Sequence, residues 1–104
     1  MDVYRVELTY PAENDLRDIA RYISSQLNAP MTALNLVRTI REAISKLKSN
    51  ALIHPLVRDD RLADIGYRSV VVKNYIVFYI VREKEKTIDV DRILYGRRDW
   101  KSIL

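Results

Sequence analysis

The segment YIVFYIV, residues 75–81, limits the possible folds of this 104-residue chain more than any other stretch. All of its residues are β-branched or aromatic, the types that are enriched in β-strands. A strand with one face in solvent would alternate apolar and polar residues, and this segment does not alternate. We therefore predict a central β-strand that other parts of the chain cover on both faces.

Three more segments have the period of a half-buried strand. YRSVVV (67–72) and TIDVDRILY (87–95) flank the central segment, and VYRVELTY (3–10) lies near the N-terminus. Lys73-Asn74 has the length of a hairpin turn, and asparagine tolerates the positive φ that such turns need. The pattern predicts an antiparallel meander of three strands, which the N-terminal strand joins.

Two runs of apolar residues at helical spacing separate the first strand from the meander. They are Leu16, Ile19, Ala20, Ile23 and Leu27, then Ala33, Val37, Ile40, Ile44 and Leu47. We predict two helices that pack as an antiparallel hairpin, a loop over residues 50–66 and one helical turn over 98–104. The predicted fold is therefore α+β. A small antiparallel β-sheet, in the chain order β-α-α-β-β-β, has the two-helix hairpin packed on one face.

The length and composition favour a single domain over residues 1–104. The absence of cysteine and the single histidine, His54, exclude a disulfide framework, a cysteine metal site and a multi-histidine centre. We therefore expect no metal and no cofactor. No apolar run approaches the roughly 20 residues that cross a bilayer, and the N-terminus lacks the plan of a signal peptide. These features predict a cytoplasmic protein that does not bind membranes.

The net charge of +4 is concentrated at the C-terminal end of the chain. Residues 92–104 contain four basic residues and one acidic residue: Arg92, Arg97, Arg98 and Lys101 against Asp99. A basic end favours an acidic or polyanionic partner, and a merely solvated basic surface is the competing interpretation.

The candidate catalytic residues are Arg68, Tyr95, Arg97 and Arg98. No Gly-rich phosphate loop, HExxH or GxSxG motif occurs in the chain, so any site must be assembled by the fold. Arginine matches phosphate in charge and geometry, and a tyrosine hydroxyl next to arginines suits proton transfer. If the start of one edge strand and the end of the last strand share one region, the four residues suit RNA cleavage. In the alternative interpretation, Tyr95 closes an edge of the core and the arginines are solvated.

Four residues are candidate nucleic-acid contacts: Lys46, Lys48, His54 and Arg58. The two lysines are equally explained by the dipole at the end of the second helix. Histidine suits general acid or base catalysis near neutral pH, but His54 before a proline is also an ordinary loop residue. Arg58 begins a run of alternating charges, for which surface ion pairs are the default. Trp100 is predicted to pack the last turn against the domain, with base stacking as the alternative.

One resemblance to a known family runs over nearly the whole chain, in order. It is carried by PAENDLRDIARYI (11–23), the two-helix segment, YIVFYIV and the closing RILYGRRDW (92–100). In these segments the chain resembles the RelE/ParE toxins of bacterial type II toxin–antitoxin systems. The resemblance implies a compact sheet with a helical hairpin. It also implies a cognate antitoxin whose C-terminal segment wraps the toxin. Such antitoxins are usually acidic, which agrees with the basic C-terminal end.

One activity that the resemblance implies is cleavage of mRNA on the ribosome without a metal ion. RelE-like members of the family are mRNA endonucleases of this kind. By this resemblance, Arg68 matches the arginine on the strand after the loop, and Tyr95 takes the position of the C-terminal acid or base. Arg97 or Arg98 would hold phosphate, and the two lysines lie near lysines of RelE.

The second implied activity is inhibition of DNA gyrase, as in ParE-like members, which lack the nuclease residues. The chain length, the long helical hairpin and the lone histidine favour this activity. Many nuclease members carry a histidine where this chain has Tyr95. A third alternative is an inactive member that only binds its antitoxin.

Overall fold

The computed structural model describes residues 3–104 and contains one four-stranded sheet with helices on both faces. The strands are β1 (Arg5–Leu8), β2 (Tyr67–Val72), β3 (Tyr75–Arg82) and β4 (Thr87–Tyr95), in the spatial order β1-β4-β3-β2. The helices are α1 (Tyr10–Arg21), α2 (Pro30–Lys46), α3 (Asp60–Ile65) and α4 (Trp100–Ile103). None of these helices is long and apolar enough to cross a membrane. The α+β fold with a helical hairpin on one face is confirmed.

Strand β3 is the central strand that its sequence predicts. Three consecutive residues, Val77, Phe78 and Tyr79, are almost fully buried, which requires cover on both faces. Val77 and Tyr79 belong to the core under α1 and α2. Phe78 faces a second, smaller core that contains Leu62 of α3 and contacts Trp100 of α4. The predicted role of Trp100 as a packing residue agrees with its ring centroid lying 5.3 Å from that of Phe78.

Strand β1 pairs with β4 in the parallel direction, whereas β2, β3 and β4 form the predicted antiparallel meander. The period-2 pattern identifies the buried face of a strand and does not specify the direction of its neighbour. Helix α1 follows β1 directly, because Thr9 comes immediately after the strand and caps the helix. The Thr9 backbone N–H donates to the Val90 carbonyl at 3.0 Å, and the Thr9 hydroxyl accepts from the Ala12 N–H at 3.2 Å.

Two local predictions need correction. Residues 60–65 form helix α3 instead of a loop, because the Asp59 side chain accepts the Leu62 N–H at 3.0 Å and Gly66 ends the helix with a φ of 107°. A capping aspartate and a closing glycine are the sequence signals of such a short helix. In the turn between β2 and β3, Lys73 and not Asn74 adopts a positive φ, of 56°.

The first helix ends in a π-helical segment, Tyr22–Gln26, that its apolar spacing does not predict. The Leu27 N–H donates to the carbonyl of Tyr22, five residues back, at 3.2 Å. This wider turn rotates the following side chains relative to an α-helix. Ile23 is therefore buried as predicted, whereas Leu27 is 56% exposed and leaves the core.

Two buried tyrosines make the stability of the fold depend on pH in the alkaline range. Burial raises the pKa of Tyr79 to about 12. Burial and the hydrogen bond from the Tyr67 hydroxyl to Asp91 likewise raise the pKa of Tyr67 to about 12. Because both values exceed the ordinary 10.0, the contribution of these groups to stability is complete below pH 10 and is lost as the pH rises through 12.

We expect the urea midpoint of unfolding to fall between about pH 10 and pH 12, and to fall less steeply in Tyr79→Phe. The phenylalanine has no hydroxyl to ionise, so one source of the pH dependence is removed. The matched control is Tyr22→Phe, because Tyr22 is exposed. An identical pH slope in Tyr79→Phe and the unmodified protein would contradict this assignment.

Candidate functional site

A groove of about 1070 Å³ opens between the helical hairpin and the end of the sheet where β4 stops. Its floor is largely apolar, and its rim carries aromatic and charged side chains. The lining residues are Asp15, Asp18, Ile19, Tyr22, Ile23, Leu27, Thr32, Asn35, Leu36, Thr39, Lys73, Asn74, Tyr75, Ile93, Tyr95 and Arg98. A concave apolar surface with a few polar groups on its rim is the usual form of a binding site.

Three tyrosines meet at one end of this groove. Tyr75 and Tyr95 are paired across β3 and β4, and their ring centroids lie 5.7 Å apart in an edge-to-face arrangement. Tyr22 comes from the π-helical segment. Burial raises the pKa of Tyr75, and the neighbouring phenols of Tyr95 and Tyr22 raise it further. Tyr75 therefore stays neutral at physiological pH.

Two cations border the groove beside these rings. Lys73 lies in the turn between β2 and β3, and Arg98 lies just beyond β4. The chain passes close to the turn at Gly96, whose N–H donates to the Asn74 carbonyl at 2.8 Å. A Cβ at Gly96 would lie 3.4 Å from that carbonyl oxygen, an ordinary van der Waals contact. Arg97 does not line the groove and instead lines a separate pocket of about 210 Å³.

The acidic residue Asp15 on the groove wall is already committed to a structural contact. Its carboxylate accepts hydrogen bonds from Arg92 Nε at 2.8 Å and Arg92 Nη2 at 2.9 Å. It also accepts the backbone N–H of Ile93 at 2.9 Å. These bonds fasten α1 to β4 and leave Lys73 and Arg98 as the cations that face the groove.

The sheet does not bring Arg68 and Tyr95 together. Arg68 is paired with Tyr79, and Tyr95 is paired with Tyr75, four residues away along β3 and about 13 Å along the strand. The antiparallel pairing is the reason, since the start of β2 lies beside the end of β3 and the end of β4 lies beside its start. Arg68 Nη1 instead donates to the carbonyl of His54 at 2.7 Å and holds the loop before α3. The predicted shared region of these residues is therefore not formed.

The comparisons with known proteins identify the family. The family model for the ParE toxin of the type II toxin–antitoxin system parDE matches residues 6–100. The chain belongs to the ParE toxin family. A comparison with curated proteins finds no match for this ParE family member.

Two solved structures share the fold of this ParE family member. A chain from the chromosomal ParDE toxin–antitoxin system of P. aeruginosa has a TM-score of 0.74 and 22% sequence identity, over 89% of this chain and 96% of that one. A chain of the toxin–antitoxin complex RelBE2 from Mycobacterium tuberculosis has a TM-score of 0.61 and 18% identity, over 89% and 98%. The family model, which covers residues 6–100, identifies the protein as a toxin of the type II toxin–antitoxin family, and the two structures show that the fold is shared.

The four candidate nucleic-acid contacts of the toxin lie in three places. Lys46 and His54 line one pocket of about 340 Å³, and the His54 ring lies edge-to-face against Tyr79 at 6.5 Å. Lys48 is exposed, and its carbonyl accepts the Tyr4 N–H. Arg58 lines a pocket on the opposite face of the sheet. The structure therefore joins Lys46 with His54 and separates them from Lys48 and Arg58.

The sequence did not point to Tyr22, Lys73 or Tyr75 as groove residues of the ParE toxin. The pairing of Tyr75 with Tyr95 depends on the turn between β3 and β4 and on a register shift at Phe78/Tyr79. No periodicity specifies such a shift. The placement of Tyr22 depends on the π-helical segment. Of these three residues, only Lys73 could have been placed at the groove from the sequence. The two-residue turn that contains it lies beside the end of β4, so its side chains lie at that end of the sheet.

Proposed function

We propose that this toxin inhibits growth by binding DNA gyrase with its groove and the adjoining basic C-terminal residues, and that it does not cleave mRNA. The proposal rests on one observation, the separation of Arg68 from Tyr95 by the register of the sheet. The matching ParE family model agrees with it.

The chemistry of RNA cleavage explains why this separation matters. A catalyst must place a proton acceptor within hydrogen-bond reach of the 2′-OH and hold cations at the same phosphate. In this toxin the Arg68 guanidinium donates to a loop carbonyl. Tyr95, on β4, lies beside the start of β3, whereas Arg68, on β2, lies beside its end. Arg68 and Tyr95, which would have to act on the same phosphate in a nuclease, thus lie in different parts of the molecule.

The groove has the features of a protein contact. Tyrosine and arginine are the residue types that contribute most to binding energy in protein interfaces. Tyr22, Tyr95 and Arg98 supply them at the rim, and the apolar floor beneath offers area to bury. These features fit a protein target, and gyrase is the protein target that the family resemblance implies.

We also propose that a cognate antitoxin neutralises the toxin. The two solved relatives come from toxin–antitoxin systems, ParDE and RelBE2. The excess of positive charge on this chain favours an acidic partner.

An mRNA endonuclease is the second candidate, because Tyr95 and Arg98 line the same groove. A phenol and a guanidinium in one groove supply a proton-transfer group and a phosphate ligand. The remaining candidate residues, Arg68 and Arg97, do not line it.

We expect the purified toxin to stabilise DNA cleavage complexes of gyrase and to leave mRNA intact in a translating extract. Tyr95→Phe and Arg68→Ala should each keep gyrase inhibition within about threefold of the unmodified toxin, since Tyr95→Phe keeps the aromatic ring in the groove and Arg68 does not line the groove. Gel analysis of gyrase–DNA products and primer extension on the mRNA measure both activities. Site-specific mRNA cuts that Tyr95→Phe abolishes would establish the endonuclease instead.

A further inference from the structure

Three cations surround the ring of Tyr95, which lies at the open end of the groove. Lys73 and Arg98 line the groove together with Tyr95. Lys73 and Arg97 line the adjoining pocket of about 210 Å³ together with the same tyrosine. Because Tyr95 and Lys73 border both hollows, the ring lies between them. We call Lys73, Arg97 and Arg98 the cationic rim; all three are exposed.

The cationic rim has no anionic partner within the described residues 3–104. The two acidic residues of the groove wall, by contrast, are already paired. Asp15 lies 2.8 Å from Arg92, and Asp18 lies 3.8 Å from Arg21. The surface around Tyr95 therefore carries an excess of positive charge, which favours an anionic ligand.

The tyrosines beside the rim offer flat apolar faces to such a ligand. Tyr22 is 54% exposed and Tyr95 is 38% exposed. Tyr95 meets Tyr75 edge to face, with an interplanar angle of 67°. In a pair of this kind, the ring that contributes its edge keeps both of its own faces free of the contact. Open aromatic faces next to unpaired cations match a ligand that has both planar and anionic groups.

A single strand of nucleic acid has both kinds of group. Its phosphates carry negative charge, and its unpaired bases stack on aromatic side chains. The bases of a duplex are already stacked on each other, so a duplex would leave the rings unused. An acidic protein segment would match the three charges, but only a ligand with planar groups also uses the open rings. The combination therefore favours unpaired nucleotides over a duplex and over an acidic peptide.

We propose that Tyr95 and the cationic rim bind unpaired nucleotides of the DNA that gyrase holds, while the apolar floor of the groove contacts the enzyme. This inference rests on the proposed inhibition of gyrase. The bases stack on Tyr95 and Tyr22, and the rim cations lie against the phosphates. The toxin thereby contacts both components of the cleavage complex.

Fluorescence anisotropy with the purified toxin and a dye-labelled thymidine strand of about 12 nucleotides tests this binding directly. We expect Tyr95→Ala to weaken binding about tenfold, whereas Tyr95→Phe, which keeps the ring, should stay within about threefold. The same strand paired with its complement should bind about tenfold more weakly. Equal affinity for strand and duplex, or unchanged affinity in folded Tyr95→Ala, would overturn the inference. A tenfold preference for a uridine RNA strand of the same length would overturn the assignment to DNA.

The salt dependence of binding measures the rim separately from the rings. Each phosphate that a cation contacts on a single strand makes the slope of log affinity against log salt steeper by about 0.7. We expect Arg97→Gln to reduce the slope by about that amount and the matched Lys84→Gln to leave it unchanged. Lys84 is exposed in the turn between β3 and β4, at the opposite end of β4 from Tyr95. Equal slopes in the two variants would contradict the role of the rim.

Crosslinking within the gyrase complex separates this inference from the proposed function. DNA that carries iododeoxyuridine at the cleavage site is irradiated together with gyrase and the toxin. We expect a crosslink between toxin and DNA, which Tyr95→Ala should reduce about tenfold. Cleavage complexes that form without such a crosslink would overturn the inference and leave gyrase inhibition intact. A toxin that stabilises no cleavage complex would overturn both proposals.

Discussion

Replacing Asp15 with alanine is expected to lower the free energy of unfolding by about 3 kcal/mol. The Asp15 side chain is 10% exposed and that of Arg92 is 26% exposed, so the ion pair is partly shielded from water. Without the carboxylate, the guanidinium of Arg92 and the backbone N–H of Ile93 both lose an acceptor. Urea unfolding followed by circular dichroism measures the loss.

Asp18→Ala is the matched control, since it removes a carboxylate from the same helix. Asp18 lies 3.8 Å from Arg21, and the two side chains are 72% and 68% exposed. Exposed pairs contribute little, so this change should stay within about 0.5 kcal/mol. If Asp15→Ala were as mild as Asp18→Ala, the bond between α1 and β4 would not be a main support of the fold.

Asp15→Asn distinguishes the charge from the hydrogen bonds. An amide oxygen can still accept the Ile93 N–H but cannot neutralise Arg92. We therefore expect a loss between those of the two alanine variants. Because the same contact fixes the wall of the groove beside β4, the proposed gyrase inhibition should be compared among these variants only at temperatures where each is fully folded.

The overall fold could be predicted because the hydrophobic period changes only twice along the chain. Residues that face the core alternate in the first strand, recur at helical spacing from Leu16 to Leu47, and alternate again after Tyr67. The run without alternation at Val77, Phe78 and Tyr79 requires cover on both faces, and the structure provides it. Burial of apolar area is the main driving force for the formation and packing of these helices and strands. The spacing of apolar residues indicates which side of each element is buried.

The candidate site could be predicted only in part, because it depends on register. The sequence singled out Tyr95 and Arg98, which do meet in the groove. It also placed Arg68 with them, although antiparallel pairing sends Arg68 to the opposite end of β3. Which strand ends lie together depends on turn lengths and on the register shift in β4. The spacing of apolar residues along the sequence carries no information about turn length or about a register shift.

If the toxin inhibits gyrase as proposed, charge reversal at Arg98 is expected to raise the toxin concentration for half-maximal inhibition about 30-fold, the equivalent of roughly 2 kcal/mol of binding energy. Arg98→Glu would place a carboxylate on a groove wall that already contains Asp15 and Asp18. It also removes an arginine, the residue type that most often anchors an interface, from beside Tyr95. Inhibition of supercoiling by purified variants measures the change.

The control for Arg98→Glu is Arg17→Glu, which alters the net charge equally at an exposed position of α1 outside the groove. Long-range attraction depends on total charge and falls with added salt, whereas a contact in the groove depends on position. If Arg98→Glu and Arg17→Glu lost inhibition equally, and if added salt removed their difference from the unmodified toxin, long-range attraction by net charge would explain the loss. A large loss in Arg98→Glu alone, persisting at high salt, would identify the groove as the surface that contacts gyrase.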